Sequence, residues 1–511
     1  MTPYPPGPTW AFSNRSFSLS CWKTGQKQQY QYWKTGQKGL LFHWKTGQTF
    51  WLYAGGIAIM LFRKASKEIV KWIESGKDAL LVAGARQVGK TYLIRELLEE
   101  RKIDYVEFNF VKQPGLLSIF KPALEEDEKT FLENLRIASR RVLRDDTVIF
   151  FDEIQECKEI VTIVKFLVEH GKYRYVMSGS LLGVELRDLR SAPVGFMTTV
   201  DMYPMDLEEF YIANGLGEDV MASLRERFEK EIPVDDFVHK TLIDAFYKYL
   251  IVGGMPEAVQ TFKDTGDYNL VRRVHAKIGR DYKRDFTRYE KEKKLKLINT
   301  YNLIPSELDQ KNKRYVFTRL DGELRFDRYE NSFLWLAEAG VALPVYNVTE
   351  AEIPLEASKK SNLFKLFLSD VGMLTSMYGT STALKLLSRE KGINCGAMFE
   401  NFAAQELKAH GFDLYYYNNK KHGELDFLID YQGDVLPLEI KSGKDYQSHS
   451  ALSYFCANGF AKGYVFSDYN ISVRENIHYY PIYMMMFLHA QDTIEERGAL
   501  DLSSLSSISK V

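Results

Sequence analysis

Short apolar runs recur between residues 79 and 205, and amphipathic stretches separate them. Runs without polar alternation are typical of strands that are buried on both faces of a parallel sheet. Because these strands alternate with predicted helices, the pattern indicates an α/β fold around such a sheet. The predicted strands are residues 79–83, 104–110, 147–155, 173–180 and 198–205.

The pattern changes after residue 232. From residue 233 to 346, apolar residues at three and four spacing, as in "FVHKTLIDAFYKYLIVGG", predict a mainly helical region. Near residue 430, "LDFLID" and "VLPLEIK" nearly alternate between apolar and polar positions, and the "YQGD" between them carries turn residues. That arrangement predicts a β-hairpin.

The first 59 residues have a different pattern. "WKTGQ" occurs three times at an eleven-residue period, at Trp22, Trp33 and Trp44, and the stretches between the copies are unrelated. This period is shorter than the roughly 20 to 50 residues of stacking modules. We interpret the repeat as translated repetitive DNA and expect the natural start at Met60. The alternative is a disordered arm rich in basic and aromatic residues.

Composition narrows the classes of function. The 511 residues are 45% hydrophobic, and 67 Lys and Arg residues nearly balance 68 Asp and Glu residues. Without a global basic field, contacts with nucleic acid must come from local patches. The four cysteines lack the spacing of a zinc site or of a secreted disulfide framework, so we expect a cytoplasmic protein. The longest apolar run, residues 50–62, is shorter than the roughly 20 residues of a membrane span.

The stretch "GARQVGKT" lies between a predicted strand and a predicted helix, which is the context that a phosphate-binding loop requires. Its glycines allow backbone N–H groups to surround phosphate oxygens at the positive end of a helix. Lys90 would neutralise the β- and γ-phosphate charge, a catalytic role, and the Thr91 hydroxyl would meet Mg²⁺. The sequence therefore predicts a site for ATP and Mg²⁺. The predicted ATP-binding residues are Gly84, Ala85, Arg86, Gln87, Val88, Gly89, Lys90 and Thr91.

A second element supports this prediction. The apolar run "TVIFFDEIQ" contains Asp152 and Glu153 at the carboxyl end of the strand, where ligands bind in α/β sheets. We expect Asp152 to help hold Mg²⁺ and Glu153 to orient or deprotonate the attacking water. The next strand ends in "SGS", where Ser178 or Ser180 is placed to contact the γ-phosphate. A plain turn is the alternative for either serine.

Basic residues concentrate in one predicted helix. Residues 271–297 carry eleven Lys and Arg residues against four Asp and Glu residues, with aromatic residues interleaved. A helix of this kind is able to contact nucleic-acid phosphates. Charge runs on long helices are more often solvated faces, and that reading is the alternative.

The predicted hairpin carries three polar residues of catalytic type. Side chains two apart on a strand share a face, so Glu439 and Lys441 point the same way, and Asp426 on the partner strand reaches that face in a suitable register. Two carboxylates offer hard oxygen ligands to Mg²⁺, and a lysine positions water or offsets phosphate charge. The arrangement predicts a metal-dependent phosphodiesterase site. The alternative is the solvated face of an exposed hairpin.

These motifs resemble a known family, the prokaryotic AAA-type P-loop ATPases with a C-terminal domain similar to restriction endonucleases. The resemblance covers residues 60–475 and rests on "GARQVGKT", "FFDEIQ", "MSGSLLG", "YPMDLEEF", "VGGMPEAV", "LFKLFLSDVGML" and the hairpin, in this order. It implies a parallel-sheet P-loop ATPase at 60–232, a helical and winged-helix region at 233–346, an α/β nuclease-like domain at 347–475 and a tail at 476–511. The winged helix implies nucleic-acid contact or a packing bridge.

The order of elements near the hairpin also matches the PD-(D/E)xK pattern, in which a helix with an acid precedes the two strands. Here the amphipathic stretch "GAMFENFAAQELKAHG" supplies Glu400 and Gln405. The resemblance therefore implies metal ligation by Glu400, Asp426 and Glu439, with Lys441 as a catalytic residue. Folds of this type are able to lose activity while they keep charged residues, so an inactive domain is the alternative.

One position departs from the family pattern. Similar proteins often carry Gly-Arg after the third strand, whereas this chain has Phe196 where the arginine is expected. Arg86, Arg187 and Arg190 are candidates for an arginine finger, although an ordinary surface or loop role is the favoured interpretation of each. An arginine supplied in trans is compatible with the pattern.

Two functions fit these observations. The first is an ATP-driven enzyme that acts on nucleic acid, with DNA as the expected partner, through Mg²⁺-dependent cleavage at the C-terminal site. The second is an ATP-dependent switch whose C-terminal domain only binds a partner or nucleic acid. Neither function needs a membrane, and both are compatible with self-association.

Overall fold

The structure is a computed structural model of the chain. It describes residues 61–126, 128–180, 195–286, 291–310, 313–315, 330–390 and 395–490, together with the backbone of strands between residues 10 and 59. The chain divides into two units, Met1–Phe62 and Arg63–Val511, and each is described by itself. Within the described residues, every helix is too short or too polar to cross a membrane.

The N-terminal unit contains short antiparallel strands. The first sheet has the order β1-β2-β3 and the second has the order β4-β5-β6-β7. The natural start at Met60 stays a prediction. In chain order these strands are β1 (Trp10–Ser13), β2 (Ser16–Lys23), β3 (Gln26–Gln29), β4 (Trp33–Lys34), β5 (Gly39–His43), β6 (Thr49–Tyr53) and β7 (Gly56–Ile59).

Five parallel strands form the sheet that the apolar runs predict. They are β8 (Ala79–Gly84), β9 (Tyr105–Asn109), β10 (Val148–Asp152), β11 (Arg174–Ser178) and β12 (Met197–Met202). Their order is β12-β8-β11-β10-β9, and each neighbouring pair runs parallel. The predicted α/β fold around a parallel sheet is therefore confirmed.

Helices cover this sheet and fix the position of strands β9 and β10. Phe120 and Phe131 from two helices pack on Phe108 of β9 and Phe151 of β10, and all four side chains are buried. Burial of each aromatic side chain contributes about 1.5–3 kcal/mol, which anchors the strand that ends in Asp152. The described helices of this part are α1 (Ala65–Ser75), α2 (Lys90–Glu100), α3 (Gly115–Glu126), α4 (Glu128–Ser139), α5 (Glu159–His170), α6 (Leu207–Ala213) and α7 (Glu218–Glu229).

The next part is helical, as its three and four spacing predicts. Its described helices are α8 (Asp236–Val252), α9 (Pro256–Thr265), α10 (Tyr268–Asp285), α11 (Lys291–Leu308) and α12 (Glu330–Glu338). Helix α10 carries the first part of the basic run and buries a single stripe, in which Val271, His275, Ile278 and Tyr282 recur at four, three and four spacing. Residues 316–329 of the predicted winged helix lie outside the described residues.

The C-terminal part is built on an eight-stranded mixed sheet with the order β14-β13-β15-β16-β17-β18-β20-β19. The domain boundary predicted at residues 346 and 347 falls inside β13, which pairs with β14 and β15, and the sheet continues past residue 475. Strands β13 and β14 therefore belong to the C-terminal sheet. The strands are β13 (Ala342–Val348), β14 (Lys359–Leu368), β15 (Tyr415–Asn419), β16 (Gly423–Tyr431), β17 (Asp434–Ile440), β18 (Gly463–Ser467), β19 (Ser472–Arg474) and β20 (Ile477–Pro481).

The predicted hairpin is confirmed as β16 and β17. These strands are antiparallel, and Tyr431 pairs with Asp434 next to the turn. Gln432 and Gly433 between them have φ values of 55° and 83°. Two successive residues with positive φ match the tight two-residue turn that suits the twist of a hairpin. The described helices of this part are α13 (Val371–Tyr378), α14 (Thr380–Ser388), α15 (Gly396–Ala409) and α16 (Ser450–Ala457).

Three of the motifs on which the resemblance rests meet at one buried junction. The Met205 N–H donates to the Gly254 carbonyl at 2.7 Å, and the Gly254 N–H donates to Asp370 Oδ2 at 2.6 Å. A Cβ on Gly254 would overlap the Met205 carbonyl, and one on Gly253, whose φ is 67°, would overlap the Asp370 carboxylate. The glycines are therefore needed for close packing between the parallel-sheet part, α8 and α13.

Candidate functional site

The loop between β8 and α2 has the backbone form expected of a phosphate-binding loop. Gly84 and Gly89 have φ values of 143° and 95°, and Gln87 has a φ of 68°. A Cβ on Gly84 would overlap the Met202 carbonyl of the neighbouring strand β12. Glycine at the first position thus permits the close approach of β8 and β12, and the loop begins at the carboxyl end of a central strand.

Lys90 is the first residue of α2, and its side chain turns back onto this loop. Its ammonium donates to the carbonyl oxygens of Gly84 at 2.9 Å and of Ala85 at 2.7 Å, and the side chain is buried. Burial lowers the pKa of Lys90 to about 8, although the nearby carboxylates of Glu153 and Asp152 act in the opposite direction. Phosphate oxygens entering the loop would compete with the two carbonyls for this ammonium.

Asp152 is the hydrogen-bonding centre of the site. Thr91 Oγ1 donates to Asp152 Oδ1 at 2.8 Å, and the Ser178 hydroxyl donates to the same oxygen. Asn109 Nδ2 donates to the other carboxylate oxygen at 2.6 Å. Asp152 pairs with Asn109 and with Ser178 in the register of the parallel sheet, so the ends of β9, β10 and β11 bring these side chains together.

Asn109 is a functional candidate that sequence reasoning missed. It is buried at the end of β9, and its Oδ1 accepts from the Lys112 N–H at 2.7 Å, which fixes the orientation of the amide. The sequence did contain one indication of Asn109: it is a polar residue near the end of a predicted strand, at the edge of the sheet where ligands bind.

Glu153, the predicted catalytic base, follows directly after Asp152. Its φ of 59° is in the left-handed region, which is uncommon for a residue other than glycine and turns the chain sharply at the strand end. Gln155 Nε2 donates to Glu153 Oε2 at 2.5 Å. Ser180 is buried two residues beyond Ser178.

Of the three candidates for an arginine finger, the structure describes Arg86. Arg187 and Arg190 lie outside the described residues. Phe196 has Lys165 above its ring at 5.2 Å from the centroid. Arg86 points out of the loop, where its Nη1 meets Asp285 Oδ1 at 2.5 Å.

The residues present fit a Mg²⁺ ion accompanied by a nucleotide. Thr91 and Asp152 place a hydroxyl and a carboxylate oxygen 2.8 Å apart beside the loop. Mg²⁺ usually takes one or two protein oxygens and completes its octahedron with water and substrate phosphates, so a larger set of protein ligands is unnecessary.

The C-terminal cluster contains the predicted hairpin residues and two further lysines. The buried ammonium of Lys365, on β14, lies 2.6 Å from Glu424 Oε1, 3.5 Å from Glu400 Oε2 and 3.9 Å from Asp426 Oδ1. Lys313 pairs with the other oxygen of Glu400. Lysine ammonium groups thus occupy the space between carboxylates that were predicted to hold a metal ion.

The hairpin residues have their own partners. Lys441 Nζ lies 2.7 Å from Glu439 Oε1, and the Ile440 N–H donates to Asp426 Oδ2 at 2.9 Å. The second oxygen of Glu439 is buried and accepts no hydrogen bond. Among the described residues, no three His, Cys, Asp or Glu side chains form a group that could hold a metal ion. The structure therefore brings Glu439 and Lys441 together and places Asp426 beside them, without a three-carboxylate metal site.

The electrostatics of the cluster follow from burial and these pairs. Burial raises the pKa of Asp426, and Glu400 and Glu439 raise it further by repulsion. Burial also raises the pKa of Glu439, against the attraction of Lys441. Burial would also raise the pKa of Glu400, but the attraction of Lys313 and Lys365 outweighs burial and lowers this pKa. Glu400 is therefore the carboxylate of this cluster that its lysine partners hold in the charged form.

The fold and the loop geometry define a P-loop ATPase domain, and comparison with family models agrees. Residues 76–211 match the family described as AAA domain. Residues 243–384 match a domain of unknown function (DUF8612), and residues 395–485 match a domain of unknown function (DUF4143). The chain thus carries an AAA-type P-loop ATPase domain.

Comparison with individual proteins gives more distant similarities. No curated protein matches the chain. A Walker-type ATPase of Pyrococcus abyssi is 13% identical, with a TM-score of 0.39, over 62% of this chain and 96% of that chain. The Pif1 helicase from Candida albicans is 14% identical, with a TM-score of 0.21, over 36% of this chain and 47% of that chain.

Proposed function

We propose that this chain binds and hydrolyses ATP with Mg²⁺ at residues 84–91. The observation that carries the proposal is the convergence of Thr91, Ser178 and Asn109 on the Asp152 carboxylate at the carboxyl edge of the sheet. Bound Mg²⁺ offsets the charge that develops on the transferred phosphoryl group.

The polar residues of the site then have roles that their positions support. Lys90 exchanges its two carbonyl acceptors for β- and γ-phosphate oxygens, and Asp152 with Thr91 orients the metal. Glu153 accepts a proton from the attacking water, or orders that water. Ser178 holds Asp152 in place through its hydroxyl, and we propose that it also responds to the γ-phosphate.

ATP binding by the Lys90→Ala variant tests this assignment. Without the ammonium, we expect binding of a fluorescent ATP analogue and phosphate release to be lost while the melting temperature stays near that of the wild type. Lys67→Ala, which removes an exposed lysine of α1, is the matched control. Wild-type turnover by Lys90→Ala would refute the assignment.

For the whole chain, we propose an ATP-dependent switch whose C-terminal domain contacts a partner or nucleic acid. The supporting observation is the pairing of Lys365 and Lys313 with the carboxylates of the C-terminal cluster. Carboxylates that are already neutralised by ammonium groups attract a divalent cation weakly. This arrangement favours the switch over cleavage.

Cleavage of nucleic acid by a nuclease-like C-terminal domain is the second candidate. It is favoured by the neighbouring Asp426, Glu439 and Lys441 and by the free, buried oxygen of Glu439. Purified protein incubated with ATP, Mg²⁺ and varied single- and double-stranded DNA decides between the two. Intact DNA supports the switch, whereas cleavage that Asp426→Ala abolishes supports the nuclease.

A further inference from the structure

Two carboxylates of α10 tie the phosphate-binding loop to the helical part. Arg86 Nη1 meets Asp285 Oδ1 at 2.5 Å, and Gln87 Nε2 donates to Asp281 Oδ2 at 2.9 Å. Asp281 and Asp285 are four residues apart and therefore project from the same side of the helix. Two consecutive loop residues are thus bonded to one helix end that lies far away in the sequence.

The Arg86–Asp285 pair is unequal in exposure. The side chain of Asp285 is 7% exposed, whereas that of Arg86 is 38% exposed. A buried carboxylate that loses its cation is strongly destabilised unless water or another donor replaces the cation. Asp285 therefore depends on Arg86 more than Arg86 depends on Asp285.

Arg86 also lies within the electrostatic reach of the ATP site. Its charge interacts with Lys90, which is predicted to neutralise the phosphates, and with Glu153, which is predicted to orient or deprotonate the attacking water. A guanidinium binds phosphate oxygens through two parallel hydrogen bonds, and a triphosphate carries more negative charge than one carboxylate. A triphosphate in the loop would thus compete with Asp285 for Arg86.

We propose that Asp285 is an intramolecular competitor of ATP for Arg86, so that ATP binding detaches Asp285, at the end of α10, from Arg86 of the loop. The proposal rests on the proposed ATP site and identifies its connection to the remainder of the chain. Asp285 is a positioning residue in this scheme, and Arg86 is the residue that contacts phosphate.

The surroundings of α10 show where such a detachment would act. Helix α10 packs on α13, where Gly279 faces Met373. Asp370 caps the first turn of α13 and also bonds Gly254 at the buried junction. Gly340, just before β13, packs against Ala85 of the loop. The loop is therefore in direct contact with elements that lead into the C-terminal sheet.

Hydrogen exchange of the full chain, with and without Mg²⁺ and a non-hydrolysable ATP analogue, tests the detachment. We expect slower exchange in residues 84–91 and faster exchange in residues 279–286. Slower exchange in the loop with unchanged exchange in α10 would overturn the competition and leave the proposed ATP site intact. Unchanged exchange in the loop would overturn the ATP site, and the competition with it.

Binding measurements on variants test the role of Asp285 itself. Asp285→Asn keeps the size of the side chain and removes its charge, so we expect ATP to bind about two- to fivefold more tightly, as for the loss of a partly exposed ion pair. The same change in an Arg86→Ala background should leave ATP affinity unchanged, because the competition is already gone. Glu257→Gln is the control, since it breaks an exposed ion pair of α10 that does not involve the loop, the pair between Lys277 of α10 and Glu257 of α9.

Two outcomes would contradict a competition. Unchanged or weaker ATP binding by Asp285→Asn would indicate that the pair does not oppose ATP. An equal effect of Asp285→Asn with and without Arg86 would indicate a purely structural role for the carboxylate.

Discussion

Replacement of Lys365 by methionine is the most informative perturbation of the C-terminal cluster. The side chain of Lys365 is 1% exposed, and its ammonium lies 2.6 Å from Glu424, 3.5 Å from Glu400 and 3.9 Å from Asp426. Methionine has a similar length and flexibility, so it fills most of the space and leaves little cavity. The variant therefore removes charge rather than volume.

The structure sets the size of the expected effect. Removal of one partner of a buried ion pair costs about 3–5 kcal/mol. Glu400 keeps Lys313, and the raised pKa of Asp426 favours its neutral form, so most of the loss falls on Glu424. The Glu424 side chain is 29% exposed, and water replaces part of what it loses. We therefore expect about 3 kcal/mol, the lower end of this range.

Hydrogen exchange of β16 amides reports this free energy directly, because it measures local opening without requiring the whole chain to unfold in two states. We expect Lys365→Met to lower the opening free energy of β16, and millimolar Mg²⁺ or Mn²⁺ to restore part of it. Wild-type protein should not respond to either ion at this strand. Lys359→Met, which breaks the partly exposed pair with Glu356, is the control and should cost about 1 kcal/mol or less.

Two results would refute this reasoning about Lys365. Wild-type exchange rates in Lys365→Met would indicate that the ammonium does not stabilise the cluster. An equal response of wild type and variant to Mn²⁺ would indicate that the carboxylates bind a divalent ion while the lysine is present.

Four further predictions concern the ATP site and the buried junction. Because burial lowers the pKa of Lys90 to about 8, the ATP-free protein loses the charge of Lys90 above that pH. ATP affinity, measured by titration of a fluorescent analogue, should therefore fall about tenfold per pH unit from pH 8 upwards. An affinity that does not change with pH would contradict this prediction. The lowered pKa of Lys90 also affects the free energy of unfolding. Between about pH 8 and 10.5 Lys90 is protonated in the unfolded chain but not in the folded chain, so the free energy of unfolding should rise with pH in that range. Asn109→Ala should raise the Mg²⁺ concentration needed for turnover about tenfold with little change in ATP binding without metal, because Asp152 loses the donor that orients it. Gly253→Ala should destabilise by about 2 kcal/mol or more in thermal unfolding, since its φ is 67° and its Cβ would overlap Asp370, whereas Gly115→Ala in open space should be neutral or stabilising.

Features that depend on local pattern could be predicted from the sequence. Buried parallel strands read as continuous apolar runs, so β8 and β10 were found together with the polar residues at their ends. The turn is indicated by Gly433, which accepts positive φ readily, and it fixes the hairpin of β16 and β17. Functional residues that lie within one loop or one hairpin can therefore be predicted from the sequence.

Partners that come from distant segments could not be predicted. Lys365 stands in the apolar stretch "LFKLFL", and nothing in that stretch indicates that its ammonium meets Glu424 across the sheet. Asp285 belongs to a basic run, whose charge suggested phosphate contact rather than a bond to Arg86 of the loop. These contacts are set by how the sheet and the helices pack, which residue spacing does not specify.

Single-turnover ATP cleavage by wild type and Glu153→Gln tests the central claim most directly, namely that residues 84–91 with Asp152 and Glu153 form an ATP-hydrolysing site. The amide keeps the size of the side chain and removes the base, so bound ATP should persist while its cleavage slows by about 10²–10⁴-fold. Cleavage of bound ATP by Glu153→Gln at the wild-type rate, or wild-type protein that binds ATP without cleaving it, would contradict the claim.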